Sequence, residues 1–130
     1  MHFPSRTHIW IVRVLCLGSW VTVTTLLLVP DPSGLVGLRE GRLSGYSTMA
    51  HIGCFFVLST LTLASRLPFS MSATLALLMS YGGVVELLQG LVPRRTVSFN
   101  DFLANTLGIA VGAAAYATAE WYRRRRTGRK

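Results

Sequence analysis

At 130 residues the chain suits one domain, and with 51% hydrophobic but only 14% charged residues it is far below the roughly 25% charge of soluble domains. A soluble helical bundle of this size needs a charged outer face on every helix, and no stretch supplies one. The +8 net charge does not point to nucleic acid: six of the thirteen cations lie in the last eight residues, directly behind an apolar run ending in Trp121 and Tyr122. That order marks a juxtamembrane basic anchor with an aromatic belt, drawn to anionic lipid. The expectation is an all-α integral membrane protein, a bundle of four transmembrane helices in a single domain over residues 1–130. Its partner is the lipid bilayer rather than nucleic acid.

The first apolar run covers residues 9–29, about the 20 residues needed to cross the hydrocarbon. Arg13 lies one turn inside it and can snorkel to the interface beside Arg6. A cleaved signal peptide is the rival reading, but Leu27-Leu28-Val29-Pro30-Asp31 offers no small-x-small cleavage site. Pro30 ends the run, and a Gly-, Pro- and Ser-rich loop with Arg39, Glu40 and Arg42 follows. The second span is expected over residues 48–65, with His51 three residues inside it. Arg66 and Pro68 close it, and Ser70 is placed to cap the next helix. The third span is expected over 72–92 and the fourth over 100–122, followed by the basic tail 123–130. The short link between the second and third spans makes those helices antiparallel neighbours. Cys16 and Cys54 both fall within spans, where cysteine serves as a small apolar residue, so neither a disulfide nor a metal site is expected. No residue pattern calls for a cofactor.

Cations set the expected orientation. With the basic tail cytoplasmic, four spans return the N-terminus to the same side, and Arg6, Arg13, Arg66 and the six tail cations lie inside. Arg39, Arg42, Arg94 and Arg95 lie outside. A multi-pass protein of the cell membrane with both termini cytoplasmic follows.

The stretch 80–112 carries the chemistry. Glu86 lies inside an apolar run, where a carboxylate costs roughly 2.5–3.5 kcal/mol on insertion scales and needs a partner or a purpose. Gln89 is three residues on, one turn above Glu86 on the same face. After the connector Val92-Pro93-Arg94-Arg95-Thr96-Val97-Ser98, Asp101 opens the fourth span, and Asn105, Gly108 and Gly112 continue one stripe down it. Antiparallel pairing across the connector brings the Glu86/Gln89 face level with the Asp101/Asn105 face. His51, Glu86, Gln89, Arg94 or Arg95, Asp101 and Asn105 are therefore expected to converge in the outer third of the membrane. Glu86 and His51 are the candidate acid–base groups, with Arg94, Arg95, Gln89, Asp101 and Asn105 as candidate binding residues. Ser98-x-x-Asp101 reads as a capping box and Gly108-x-x-x-Gly112 as a close-packing motif, so Ser98, Gly108 and Gly112 are read as structural.

In these residues the chain resembles the VanZ-like family. The shared pattern is a histidine opening the second span, Glu86-Leu87-Leu88-Gln89, Pro93-Arg94-Arg95, and Ser98 through Gly108 as Ser-x-x-Asp-x-x-x-Asn-x-x-Gly. It covers roughly residues 48–112. Where the family commonly has Asp-Lys four and three residues before the histidine, this chain has Ser47 and Thr48. The resemblance implies a bacterial-type membrane protein acting near the cell envelope, in a family named for a protein associated with glycopeptide (teicoplanin) resistance.

Three functions compete on this basis. One is an extracytoplasmic binding or catalytic site in which the arginines hold an anionic lipid-linked or peptidoglycan precursor. A second is a structural or accessory protein whose polar cluster only locks the helices together. The third is a small transporter working as a homo-oligomer. Whether any reaction is catalysed stays open at this level.

Overall fold

The computed structural model describes residues 6–30, 43–93 and 95–128. The described residues form four helices: α1 (Arg6–Leu28), α2 (Leu43–Ala64), α3 (Met71–Gln89) and α4 (Phe99–Arg126). All four are long and apolar enough to cross a membrane. The expected loop residues Arg39, Glu40 and Arg42, the connector residue Arg94, and the tail residues Arg129 and Lys130 lie outside the described residues.

Helix ends differ from the apolar runs in ways that physical chemistry explains. α2 starts at Leu43 although its apolar part begins at Ser47. A helix extends past the hydrocarbon because interfacial water can satisfy its end, so His51 lies about two turns inside it rather than three residues. α4 likewise runs through the arginines to Arg126. Arginine is a good helix former, and cations favour the negative end of the helix dipole. α3 ends at Gln89, three residues short of Val92. Beyond it Gly90, Leu91 and Val92 donate to Leu87, Leu88 and Gln89, a tightened i→i−3 turn before Pro93. Pro93 disfavours α geometry at the residue before it, and Val97 folds back so closely that a Cβ at Gly90 would lie 2.7 Å from its Cγ2.

The exterior is apolar and the interior carries the polar groups. Leu91, Phe99 and Leu87 are 82%, 72% and 67% exposed, while Glu86, His51, Gln89 and Asn105 are 4%, 1%, 1% and 1% exposed. A water-soluble fold reverses that distribution; lipid as the outer solvent accounts for it. Inside, Val23, Leu27, Phe55, Leu58, Leu78, Val85 and Ile109 form the apolar core, with Trp20 and Tyr81 packed against it. Hydrogen bonds stitch its flanks: Trp20 Nε1 donates to Thr62 Oγ1 at 3.1 Å, and the Thr24 and Tyr81 hydroxyls lie 2.6 Å apart.

α2 and α4 form the tightest pair. A Cβ added to Gly108 would lie 2.5 Å from Ile52 O, and one added to Gly112 would lie 2.7 Å from Phe56 O. Both clashes are with backbone, which cannot swing aside. Only glycine allows this approach, and it lets Ser59 Oγ donate to Ile109 O at 3.1 Å.

The basic end of the bundle is tied by Glu120. Arg123 Nη2 lies 2.6 Å from its carboxylate, Arg124 Nε 3.3 Å, and Arg66, from the α2–α3 link, 3.8 Å. At the same end the Arg13 Nε donates to Ser65 O at 3.3 Å. Thus the start of α1, the end of α2 and the end of α4 share one level, and the ends of α1 and α3 with the start of α4 define the opposite one.

Gly112→Ala is expected to lower the yield of folded protein and its thermal stability, by about 1–3 kcal/mol for overpacking. Gly53→Ala, where nothing lies within 4 Å of the added methyl, is expected to be neutral or mildly stabilising. Thermal denaturation of the two variants in the same detergent checks the contrast.

Candidate functional site

The site lies where α3 ends and α4 begins. Ser98 is the N-cap of α4, and its Oγ accepts from Asp101 N at 3.2 Å. In a capping box the residue three places on returns the favour, its side chain accepting from the N-cap amide. Here Asp101 does not do so. The Ser98 N–H donates instead to Glu86 Oε1, at 2.6 Å. A carboxylate from the neighbouring helix thus completes the cap and sits at the positive end of the α4 dipole.

This substitution frees Asp101 to face α2. Its Oδ2 lies 4.0 Å from His51 Nε2, while His51 Nδ1 pairs with Asn105 Oδ1 at 2.8 Å. Asn105 lies one turn along α4 from Asp101, and a Cβ added to Gly82 would lie 3.5 Å from the Asn105 Cβ and 3.3 Å from the Phe55 ring, so α2, α3 and α4 approach one another closely here. His51, Asp101 and Arg95 all lie close enough to Glu86 to act on it electrostatically.

Two side chains expected in the cluster are used elsewhere. Gln89 Nε2 donates to Leu27 O at 2.8 Å. Arg95 donates through Nε and Nη2 to Val29 O, each at 3.3 Å. Both acceptors belong to the C-terminal end of α1, where the last carbonyls have no helical partner. Gln89 and Arg95 therefore seal α1 onto the hairpin of α3 and α4. Three residues turn a helix by 300°, which leaves Gln89 about 60° round the axis from Glu86, enough to aim the two side chains at different neighbours.

Two buried polar atoms among the described residues have no hydrogen-bond partner: Glu86 Oε2 and Asn105 Nδ2. Both belong to this cluster. Glu86 also lines an open groove of about 470 Å³ between α3 and the start of α4, walled by Val84, Leu87, Val97, Phe99 and Phe102. Sequence reasoning missed the groove. Its only advance signal is the Gly82-Gly83 pair, of which Gly83 lines the groove. Among the described residues no three His, Cys, Asp or Glu side chains converge as a metal-binding set.

Four apolar helices with a buried polar cluster at one end define a multi-pass membrane protein. The family model of VanZ/LLP1 matches residues 9–120, and the chain belongs to that family. No curated protein and no solved structure matches it.

Gln89→Leu is expected to leave Leu27 O buried without a donor. An unmet buried carbonyl costs about 1–3 kcal/mol, so the melting temperature in detergent should fall by several degrees. Leu88→Gln on the exposed face is the control for composition, and an unchanged melting temperature in Gln89→Leu would refute the sealing role.

Proposed function

We propose that this VanZ-like protein carries, at the extracytoplasmic face of the cell membrane, a polar site that binds a cell-envelope molecule, and that Glu86 is the residue the ligand meets. The observation that carries this reading is the unpartnered Glu86 Oε2, buried in a residue that lines an open groove. A carboxylate at such depth normally recruits all the donors it can. The fold supplies one, from Ser98, and the nearest described arginine is spent on α1.

With Arg95 directed to the end of α1, recognition centres on Glu86, with the cluster of His51, Asp101 and Asn105 behind it. His51 and Glu86 are the candidate groups for any proton transfer, since imidazole and carboxylate are the side chains that most often serve as general acids and bases. An anionic lipid-linked or peptidoglycan precursor stays within reach of this site through its hydroxyl and amide groups. A contribution to glycopeptide (teicoplanin) resistance is the phenotype that the family name suggests.

A structural role is the second reading, favoured by the Glu86–Ser98 bond itself. One variant separates the two. Glu86→Gln keeps an oxygen to accept from Ser98 N and removes the charge. In cells lacking other copies of this protein, Glu86→Gln is expected to lose teicoplanin or envelope-stress tolerance at least several-fold while its membrane abundance stays normal. Reduced abundance in proportion to the lost tolerance supports the structural reading; wild-type tolerance at normal abundance removes both.

Both termini are placed in the cytoplasm by the positive-inside rule, with the 93–98 connector outside. In a variant with Cys16 and Cys54 replaced by Ser, Thr96→Cys is expected to react with a membrane-impermeant maleimide added to intact cells. Reaction only after the membrane is broken would invert the orientation.

A further inference from the structure

We infer that the groove between α3 and the start of α4 is a lateral entry site for a single-chain amphiphile with a primary ammonium head. The ammonium meets Glu86, and the chain lies along Val84, Leu87, Phe99 and Phe102. This rests on the reading of the cluster as a binding site and names the chemical class that site takes.

Four observations lead there. The first is size: about 470 Å³ lies within the 300–1,000 Å³ of small-molecule pockets. The groove's α3 wall extends only from Ser80 to Leu87, two turns, which is too short for the face of a partner helix. The second is the character of the walls. Val84, Leu87 and Phe99 are 52%, 67% and 72% exposed on the bundle's outer surface. In a membrane that surface is met by lipid, so a ligand enters sideways from the leaflet.

The third is the carboxylate. Glu86 is 4% exposed, takes one N–H from Ser98 and has no partner on Oε2. An ionised carboxylate offers about four acceptor positions, so most of its capacity is unused. The fourth is charge. Glu86 and Asp101 bring two carboxylates to this corner, and the described cation nearest the connector, Arg95, directs two of its N–H groups to Val29 O. A neutral hydroxyl head would supply one donor, and a phosphate head would set a further anion beside these two carboxylates. A primary ammonium supplies three donors and a charge opposite to both carboxylates.

The test uses the full chain in nanodiscs of neutral lipid, with empty nanodiscs subtracted. Dodecylamine bearing a dansyl group at the far end of its chain is the probe, and unlabelled dodecylamine, dodecanol and dodecyl phosphate compete against it. Saturable probe binding is expected, displaced by dodecylamine at least tenfold more effectively than by dodecanol or dodecyl phosphate. Glu86→Gln is expected to weaken it at least tenfold. Val84→Trp, which fills the wall from the lipid side and leaves Glu86 in place, is expected to weaken it comparably with unchanged melting temperature.

If each competitor is first made the labelled probe and dodecanol or dodecyl phosphate binds in a Glu86-dependent way while the amine does not, the ammonium class is wrong and the binding-site reading survives. If no probe's binding depends on Glu86 or Val84, both fall. If Glu86→Gln or Val84→Trp instead changes the oligomeric state seen by native mass spectrometry, the groove is a contact between protein chains and the amphiphile is overturned.

Discussion

The hydrogen bond from Ser98 N to Glu86 is the interaction on which the end of the bundle opposite the basic tail depends. It joins the last turn of α3 to the N-cap residue of α4 across the connector, through a carboxylate oxygen in a low-dielectric setting, where a hydrogen bond is electrostatically stronger than in water. Because Glu86 serves the cap, Asp101 need not. Its carboxylate turns to His51, and His51 in turn holds Asn105. One borrowed acceptor therefore sets the arrangement of three further polar side chains on two other helices.

A second constraint acts at the end of α1. A helix terminus that packs against other helices within a membrane has no water to satisfy its last carbonyls, so the protein must provide donors. Gln89 and Arg95 provide them, one from α3 and one from the connector. The same hairpin thus has two jobs: one face closes α1, and the other sets the buried Glu86 along the groove. The family resemblance groups Glu86, Gln89 and Arg95 in one pattern, but the geometry separates them by the neighbour each one meets. This explains how residues three positions apart in an α-helix can differ in role.

The opposite end is built from simpler electrostatics. Glu120 gathers Arg66, Arg123 and Arg124, and Arg125 stacks on the Trp121 ring with its guanidinium carbon 3.7 Å from the centroid. Exposed pairs of this kind contribute little stability individually. Their effect is positional, holding the α2–α3 link against the end of α4 and keeping the helix regular as it leaves the apolar zone.

Four apolar runs, the low charge and the basic end were legible in the chain alone, because a span of about 20 residues is a local property of composition. Glu86, His51, Asp101 and Asn105 were legible as residues at one depth, since helical rise and antiparallel pairing convert sequence position into height. Height says nothing about azimuth. Which neighbour each side chain meets depends on how the helices rotate about their axes, and that is decided by Gly108 and Gly112 against α2 and by Gly82 against Phe55 and Asn105. Hence the sequence by itself determined a four-helix membrane protein with a polar level near one end. Only the tertiary structure decided that Gln89 and Arg95 belong to the end of α1, that Glu86 replaces Asp101 in the cap, and that a groove opens beside it. The reason is that each of these depends on contacts between helices far apart in sequence, which no local pattern encodes.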